Sequence, residues 1–291
     1  MTTLFITTGD MRFASSRIRA YWPARYMDAE VKTISQLHDI GGIDPEKYSA
    51  IVWQKTGDLA SMKMLKDAGV LQYLDICDPV YWFQPSEFSK MLETIDGVVC
   101  CTQLLADDMK HSTGYQATVI PDRVELEHYK IKREHMGSTP VRLIWYGLWA
   151  NRAGLHGAFA TLERLACNGY EIELTICDDR PDVTAPVTDK YPVYFTRWDL
   201  HKENMIISAH DIALVPPYPG PWGVLKSNNK TLTAWACGLP ADDASDYNRL
   251  RVLVESAKAR ATAAEIGGAC LKSDYQAFQS ANDWERILYN V

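Results

Sequence analysis

Short apolar runs alternate with segments of helical period along almost the whole chain. In the first part, residues 4–7, 31–34, 50–54, 72–76, 97–101 and 117–120 read as strands. Continuous apolar runs such as Ala50-Ile-Val-Trp suit strands buried on both faces. Between them, residues 16–29, 60–68, 86–95 and 103–111 carry helical patterns. Strands that alternate with helices predict a parallel, doubly wound sheet.

The alternation breaks near residues 129–140, in the charged stretch IKREHMGSTP, and then restarts. Strands are predicted at 141–146, 172–177, 193–196 and 211–215, and helices at 154–167, 202–209, 228–236 and 248–266. The tail, 273–291, carries one more helix containing Trp284. The predicted fold class is α/β, with two doubly wound Rossmann-like domains facing across a cleft. The domains are expected at 1–135 and 136–274, with 275–291 as a terminal helix. Ligands of open parallel sheets bind beyond the carboxyl ends of the strands, which makes the strand-end loops the place to look for chemistry.

Composition narrows the classes. The chain has 291 residues, 47% of them hydrophobic and 23% charged, as in globular proteins with true cores. With a net charge of −7, a broad attraction to nucleic acid or to an anionic membrane is not expected. Residues 1–120 hold 11 Lys and Arg against 15 Asp and Glu, so a nucleic-acid partner is not expected there unless a local basic patch exists. The N-terminus MTTLFITTGDMRF lacks a basic and apolar leader, and no run is long enough to span a membrane. Seven cysteines without metal spacing, with Cys100 and Cys101 inside an apolar run, read as reduced thiols of a cytoplasmic protein. The abundant Trp and Tyr fill cores, and a few suit the wall of a sugar-binding cleft.

The segment Lys226-Ser-Asn-Asn-Lys-Thr-Leu-Thr-Ala-Trp-Ala-Cys-Gly-Leu-Pro240 carries the clearest chemistry. It reads as a helix start rich in cap residues, a small-residue helix and a Gly stop. Free N–H groups, the positive end of the dipole, Ser227, Asn228 and Asn229, flanked by Lys226 and Lys230, suit a diphosphate. A solvated cap would use the same Ser and Asn. The loop Gly147-Leu-Trp-Ala-Asn-Arg-Ala-Gly154 leaves the first strand of the second half. There Gly147 lets backbone approach a ligand, and Asn151 and Arg152 suit phosphate, although an ordinary strand–helix loop looks alike. In the first half, Asp10 lies in the turn after the first strand, and Ser15, Ser16 and Arg17 open the next helix, as caps or as acceptor-binding groups. Asp75 ends the strand read as LQYL, where a carboxylate can serve as a base, hold sugar hydroxyls or simply cap a turn. The chain has no GxGxxG, P-loop, HExxH, zinc pattern or nucleophile elbow, and it lacks the Asp-x-Asp of metal-dependent sugar transferases, so no metal site is expected.

Four stretches resemble the GT-B glycosyltransferases, in particular the family-4-like group and its relatives. They are TTGD…ASSRIRAYWPARYM, Ile51-Val-Trp-Gln-Lys55 followed by LKDAGVLQYLDICDP, Val119-Ile-Pro-Asp-Arg-Val-Glu125, and LKSNNKTLTAWACGLP. The resemblance implies that the second half binds a nucleotide-diphosphate sugar, UDP- or GDP-linked, and that the first half binds the acceptor. It implies Arg152 and Lys226 at the diphosphate, Trp198 near the base, and Asp75 or Asp78 facing the reacting sugar or acceptor. It also implies that the terminal helix crosses back to the first domain. Thr233 stands where many relatives carry a Glu that holds the donor ribose, and the catalytic His common in the first domain is absent.

The expected activity is therefore metal-independent glycosyl transfer to a hydroxyl acceptor of carbohydrate type, with no cofactor beyond the donor. Family likeness tilts toward retention, whereas inversion would need Asp10, Asp75 or Asp78 as the base. The competing readings are a nucleotide-sugar-binding protein with altered catalysis, a GT-B-shaped epimerase and a transferase that modifies DNA bases.

Overall fold

The structure is a computed structural model and describes residues 2–39, 41–137, 139–183 and 188–289. The chain divides into two compact units. The first comprises residues 1–125, 224–227 and 275–291, and the second 126–223 and 228–274.

In the first unit, six parallel strands run β1 (Thr3–Thr7), β2 (Ala29–Thr33), β3 (Ala50–Gln54), β4 (Leu71–Ile76), β5 (Gly97–Cys100) and β6 (Thr118–Val119). Their spatial order is β2-β1-β3-β4-β5-β6. Strand periodicity sends alternate side chains to opposite faces. Leu4, Ile6, Ile51 and Trp53 join a core with Leu65, Phe88 and Leu105 from helices on one side. Phe5, Ala50 and Val52 turn the other way and meet Trp284 and Leu288 of the terminal helix Ala277–Tyr289. Both faces are covered, which explains why these strands read as continuous apolar runs rather than alternating ones.

The second unit repeats the plan with β7 (Val141–Gly147), β8 (Ile172–Asp178), β9 (Val193–Arg197), β10 (Ile212–Leu214) and β11 (Ala241–Asp242), ordered β11-β10-β7-β8-β9. All pairs are parallel.

Two local expectations are corrected. The segment 16–29 is not one α-helix. It passes from a short α-turn through a π-helical stretch, Arg17–Tyr21, into a 3-10 turn, Pro23–Tyr26, and β2 already begins at Ala29. Pro23 lacks the N–H that a regular helix needs and sits at the start of that last turn. The predicted helix 248–266 is two helices, Tyr247–Glu255 and Ala257–Asp274, separated by Ser256 in extended conformation. Ala241–Asp242 is a short strand through its parallel pairing with β10, and the buried Asp242 is held by Arg249 at 2.6 Å. Among the described residues, no helix is long and apolar enough to cross a membrane.

Candidate active site

In the second unit the chain leaves β7 toward β8 on one side, and β10 lies on the other. The carboxyl ends of β7 and β10 therefore bracket the switch point at which such sheets take ligands. Gly147 closes β7 there, and Lys230 reaches over it. A Cβ on Gly147 would stand 3.0 Å from Lys230 Cε and 3.3 Å from the Trp145 ring. The Lys230 ammonium lies 5.5 Å from the centroid of that ring, and the Tyr146 hydroxyl donates to the Lys230 carbonyl at 2.5 Å. Burial pushes the Tyr146 phenol well above its usual value, so it stays a donor. Lys230 is thus fixed at its backbone and guided along its stem, within the first turn of the helix Asn229–Ala236. Asn228 holds the cap position and its side chain makes no capping bond. The first backbone N–H groups of a helix have no partner within it, and they carry the positive end of its dipole.

The other residues expected in this unit are placed differently. Arg152 lies in a 3-10 segment, Trp149–Leu155, and all three guanidinium nitrogens are engaged internally. Nε pairs with Asp178, Nη1 donates to the Val183 carbonyl, and Nη2 donates to the Arg180 carbonyl at 2.9 Å. Its stem crosses the Phe195 ring. Arg152 is therefore a brace at the end of β8, with its guanidinium directed to Asp178 and to two backbone carbonyls. The Asn151 backbone N–H donates to Leu148. Trp198 donates its indole N–H to Glu203 at 3.0 Å. Thr233 is buried within its helix.

In the first unit the switch point lies between β1 and β3. The turn after β1 is closed by Thr7 donating to the Gly9 carbonyl at 2.8 Å, and Asp10 pairs with Arg12 at 2.7 Å at the surface. Ser15 is half-buried and Ser16 buried, and neither caps the helix start, whose cap position is Phe13. Arg17 is buried, donates to the Met11 carbonyl at 2.9 Å and lies against Trp22.

A charge cluster not anticipated from the sequence gathers at the carboxyl ends of β3 and β4. Lys55 follows β3 with φ of +55°, a conformation that L-residues other than Asn and Asp seldom adopt. Its ammonium pairs with Asp78, and Lys226 reaches the other carboxylate oxygen at 3.0 Å. Burial opposes charge on Asp78, but Lys55 and Lys226 outweigh it and hold the carboxyl below its usual range. Burial likewise opposes charge on Lys55, and neighbouring Cys77 and Asp78 keep it above its usual value. Behind this lies a second, buried group. Asp75 is fully enclosed and takes two donors from Arg19, whose Nη1 also reaches Asp122 at 3.1 Å. Ser227 donates to Asp122 at 2.5 Å.

Two expectations change with this geometry. Asp75 is sealed in an ion pair and is not placed to meet an acceptor hydroxyl. Lys226 and Ser227 direct their side chains to Asp78 and Asp122 of the first unit, so the expected anion-binding set divides, and Asn228, Asn229 and Lys230 remain at the helix start. Among the described residues, no group of three or more His, Cys, Asp or Glu side chains gathers to hold a metal ion.

No family model matches the sequence, and no curated protein matches it. Solved structures do match in fold. A glycosyltransferase from Rickettsia africae ESF-5 superposes with a TM-score of 0.69 at 8% identity, over 99% of this chain and 98% of that one. The N-terminal domain of the Candida albicans trehalose-6-phosphate phosphatase gives 0.66 at 8% identity, over 99% and 96%. An alpha-glucosyltransferase solved with UDP-glucose and DNA containing an abasic site gives 0.65 at 9% identity, over 99% and 98%. The fold class is thus α/β with two parallel sheets of six and five strands, that of the GT-B glycosyltransferases.

Proposed function

We propose that the protein is a glycosyltransferase that moves a sugar from a nucleotide-diphosphate donor to a hydroxyl acceptor. The observation that carries this reading is the arrangement of Gly147, Trp145 and Lys230 at the switch point of the second sheet, in a fold shared along nearly its full length with glycosyltransferases. Bare backbone at Gly147 admits the diphosphate. Lys230 and the N–H groups at Asn228–Lys230 neutralise the charge that grows on the β-phosphate as the sugar bond breaks. UDP is the favoured nucleotide, because the similar alpha-glucosyltransferase was solved with UDP-glucose.

Asp78, held ionised by two lysines, is a weak base, and Asp75 is enclosed. In the proposed step the acceptor hydroxyl bonds to the sugar carbon from the face that the phosphate leaves, the leaving phosphate takes the hydroxyl proton, and configuration is retained without a protein base. The first unit holds the acceptor, and Lys55, Asp78 and Lys226 shape its strand-end loops. No step in this scheme requires a metal ion.

A second reading is a nucleotide-sugar-binding protein without transfer. It is favoured by Thr233, a buried hydroxyl where relatives of the resembled family carry a Glu. Transfer to a DNA base is a third, prompted by the DNA in the glucosyltransferase complex. Incubation of the chain with radiolabelled UDP-glucose, UDP-N-acetylglucosamine and GDP-mannose, with glycan, lipid-linked and hydroxymethylated-DNA acceptors, decides among the three. Label transferred to glycan or lipid supports the first reading. Donor binding without transfer supports the second, and label on DNA the third.

A further inference from the structure

A polar cavity of about 430 Å³ opens in the first unit at the end of the sheet opposite the loops described above. Tyr73, Gly97 and Thr118 lie toward the amino ends of β4, β5 and β6, whereas Lys55 and Asp78 follow the carboxyl ends of β3 and β4. Strands of five or six residues separate the two places by roughly 15 Å.

The wall is specific in shape. The Tyr73 ring lies over Gly97, where a Cβ would come 2.5 Å from the ring, so only glycine leaves the phenol in this position. The ring is held edge-on to Trp284 at 6.3 Å. Tyr115 and Ile287 add apolar surface, and Asp96, Gln116, Thr118 and Arg286 add hydrogen-bonding groups. Asp96 accepts from the Gln72 N–H through one oxygen at 2.7 Å, which fixes the carboxylate. Burial raises both phenols, with Asp96 adding to the shift, and both remain hydroxyl donors at neutral pH.

Asp96 and Arg286 carry opposite charges, and Asp283, which pairs with Arg286 at 3.2 Å, is itself matched by Arg123 at 2.6 Å, so neither an anion nor a cation is favoured. Rings with flanking carboxylate, amide, guanidinium and hydroxyl groups match a ligand that has an apolar C–H face and several hydroxyls. The volume lies within the range of small-molecule sites.

We infer that this cavity is a second carbohydrate site, which holds a neutral sugar unit of a glycan away from the reacting centre. The inference rests on the proposed transferase reading, because a glycan that is also the acceptor gives such a site its use. It makes the preferred acceptor a neutral oligosaccharide rather than a single sugar.

The test uses the full chain and an array of neutral glucans, mannans and galactans beside sulfated and sialylated glycans. The variants are Asp96→Asn and Arg286→Ala. Arg286 is largely exposed, so its removal leaves the fold intact, and melting curves check both variants. Binding to neutral oligosaccharides that weakens by about tenfold in each variant, with an unchanged melting shift on adding UDP-glucose, supports the site. Absence of neutral-glycan binding, preference for charged glycans, or binding by both variants as tight as that of the unmodified chain overturns it. A UDP-glucose shift that persists in those cases leaves the transferase reading standing, whereas loss of any donor response in the unmodified chain fails that reading instead.

Discussion

Lys226 Nζ stands 3.0 Å from Asp78 Oδ1, a partner 148 residues away in the chain and in the first unit. Lys230, in the same short segment, lies over Trp145 in the second unit. The two lysines that look equivalent in the sequence therefore have different work. Lys226→Met should leave nucleotide-sugar affinity within about threefold of the unmodified chain. The Lys226 side chain is a third exposed, so its removal should lower stability by only about 1 kcal/mol or less. Calorimetric titration with UDP-glucose and urea unfolding check the two numbers.

Asp78 gives a pH dependence of defined sign. Its folded carboxyl titrates below the usual range, so its stabilising contribution is complete above about pH 4 and is lost as pH falls through the lower folded value. Asp78→Asn should lower stability by about 2 kcal/mol at pH 7, because it leaves two ammonium groups facing a neutral amide. The difference from the unmodified chain should shrink below pH 4. Urea unfolding at pH 7, 5, 4 and 3 follows it.

Arg152 separates scaffold from site. Its removal leaves the buried Asp178 without its cation and frees two backbone carbonyls. Arg152→Ala should therefore destabilise the protein by about 3 kcal/mol, and the molecules that remain folded should bind donor normally. A stable variant with lost donor affinity would return Arg152 to the diphosphate.

Gly147→Ala tests the bare backbone. The new methyl meets the flexible end of Lys230 at 3.0 Å, which can move, and the edge of Trp145 at 3.3 Å. Stability should fall by about 1 kcal/mol or less, whereas donor affinity should fall by about tenfold or more as the ammonium is displaced. Thermal melts with and without UDP-glucose separate the two effects.

The sequence discloses elements better than partners. Ala50–Gln54 is legible because an apolar run fills a wholly buried strand, and Ile172–Asp178 because buried apolar residues alternate with the half-buried Glu173 and Thr175. The placing of Gly147 at a strand end and of Lys230 in the first turn of a helix is legible because both are local features. The ion pairs of Arg152 and Asp75 are not legible, for the opposite reason. Arg at a strand end suits phosphate as well as it suits a carboxylate, and its carboxylate, Asp178, lies 26 residues on. Asp75 meets Arg19 from a π-helical stretch 56 residues away, and no periodicity announces such a pairing. Lys55 is visible only as a Lys after an apolar run, because its positive φ leaves no trace in residue type.

The central claim is that Lys230 and the helix start at Asn228–Lys230 bind the diphosphate of a nucleotide-sugar. It is tested most directly by calorimetric titration of the unmodified chain and of Lys230→Ala with UDP-glucose, UDP and uridine. The account predicts binding of UDP-glucose and UDP well above uridine, and a loss of about tenfold or more for both diphosphates in Lys230→Ala, with uridine unaffected. Equal affinity of the variant and the unmodified chain for UDP would contradict it.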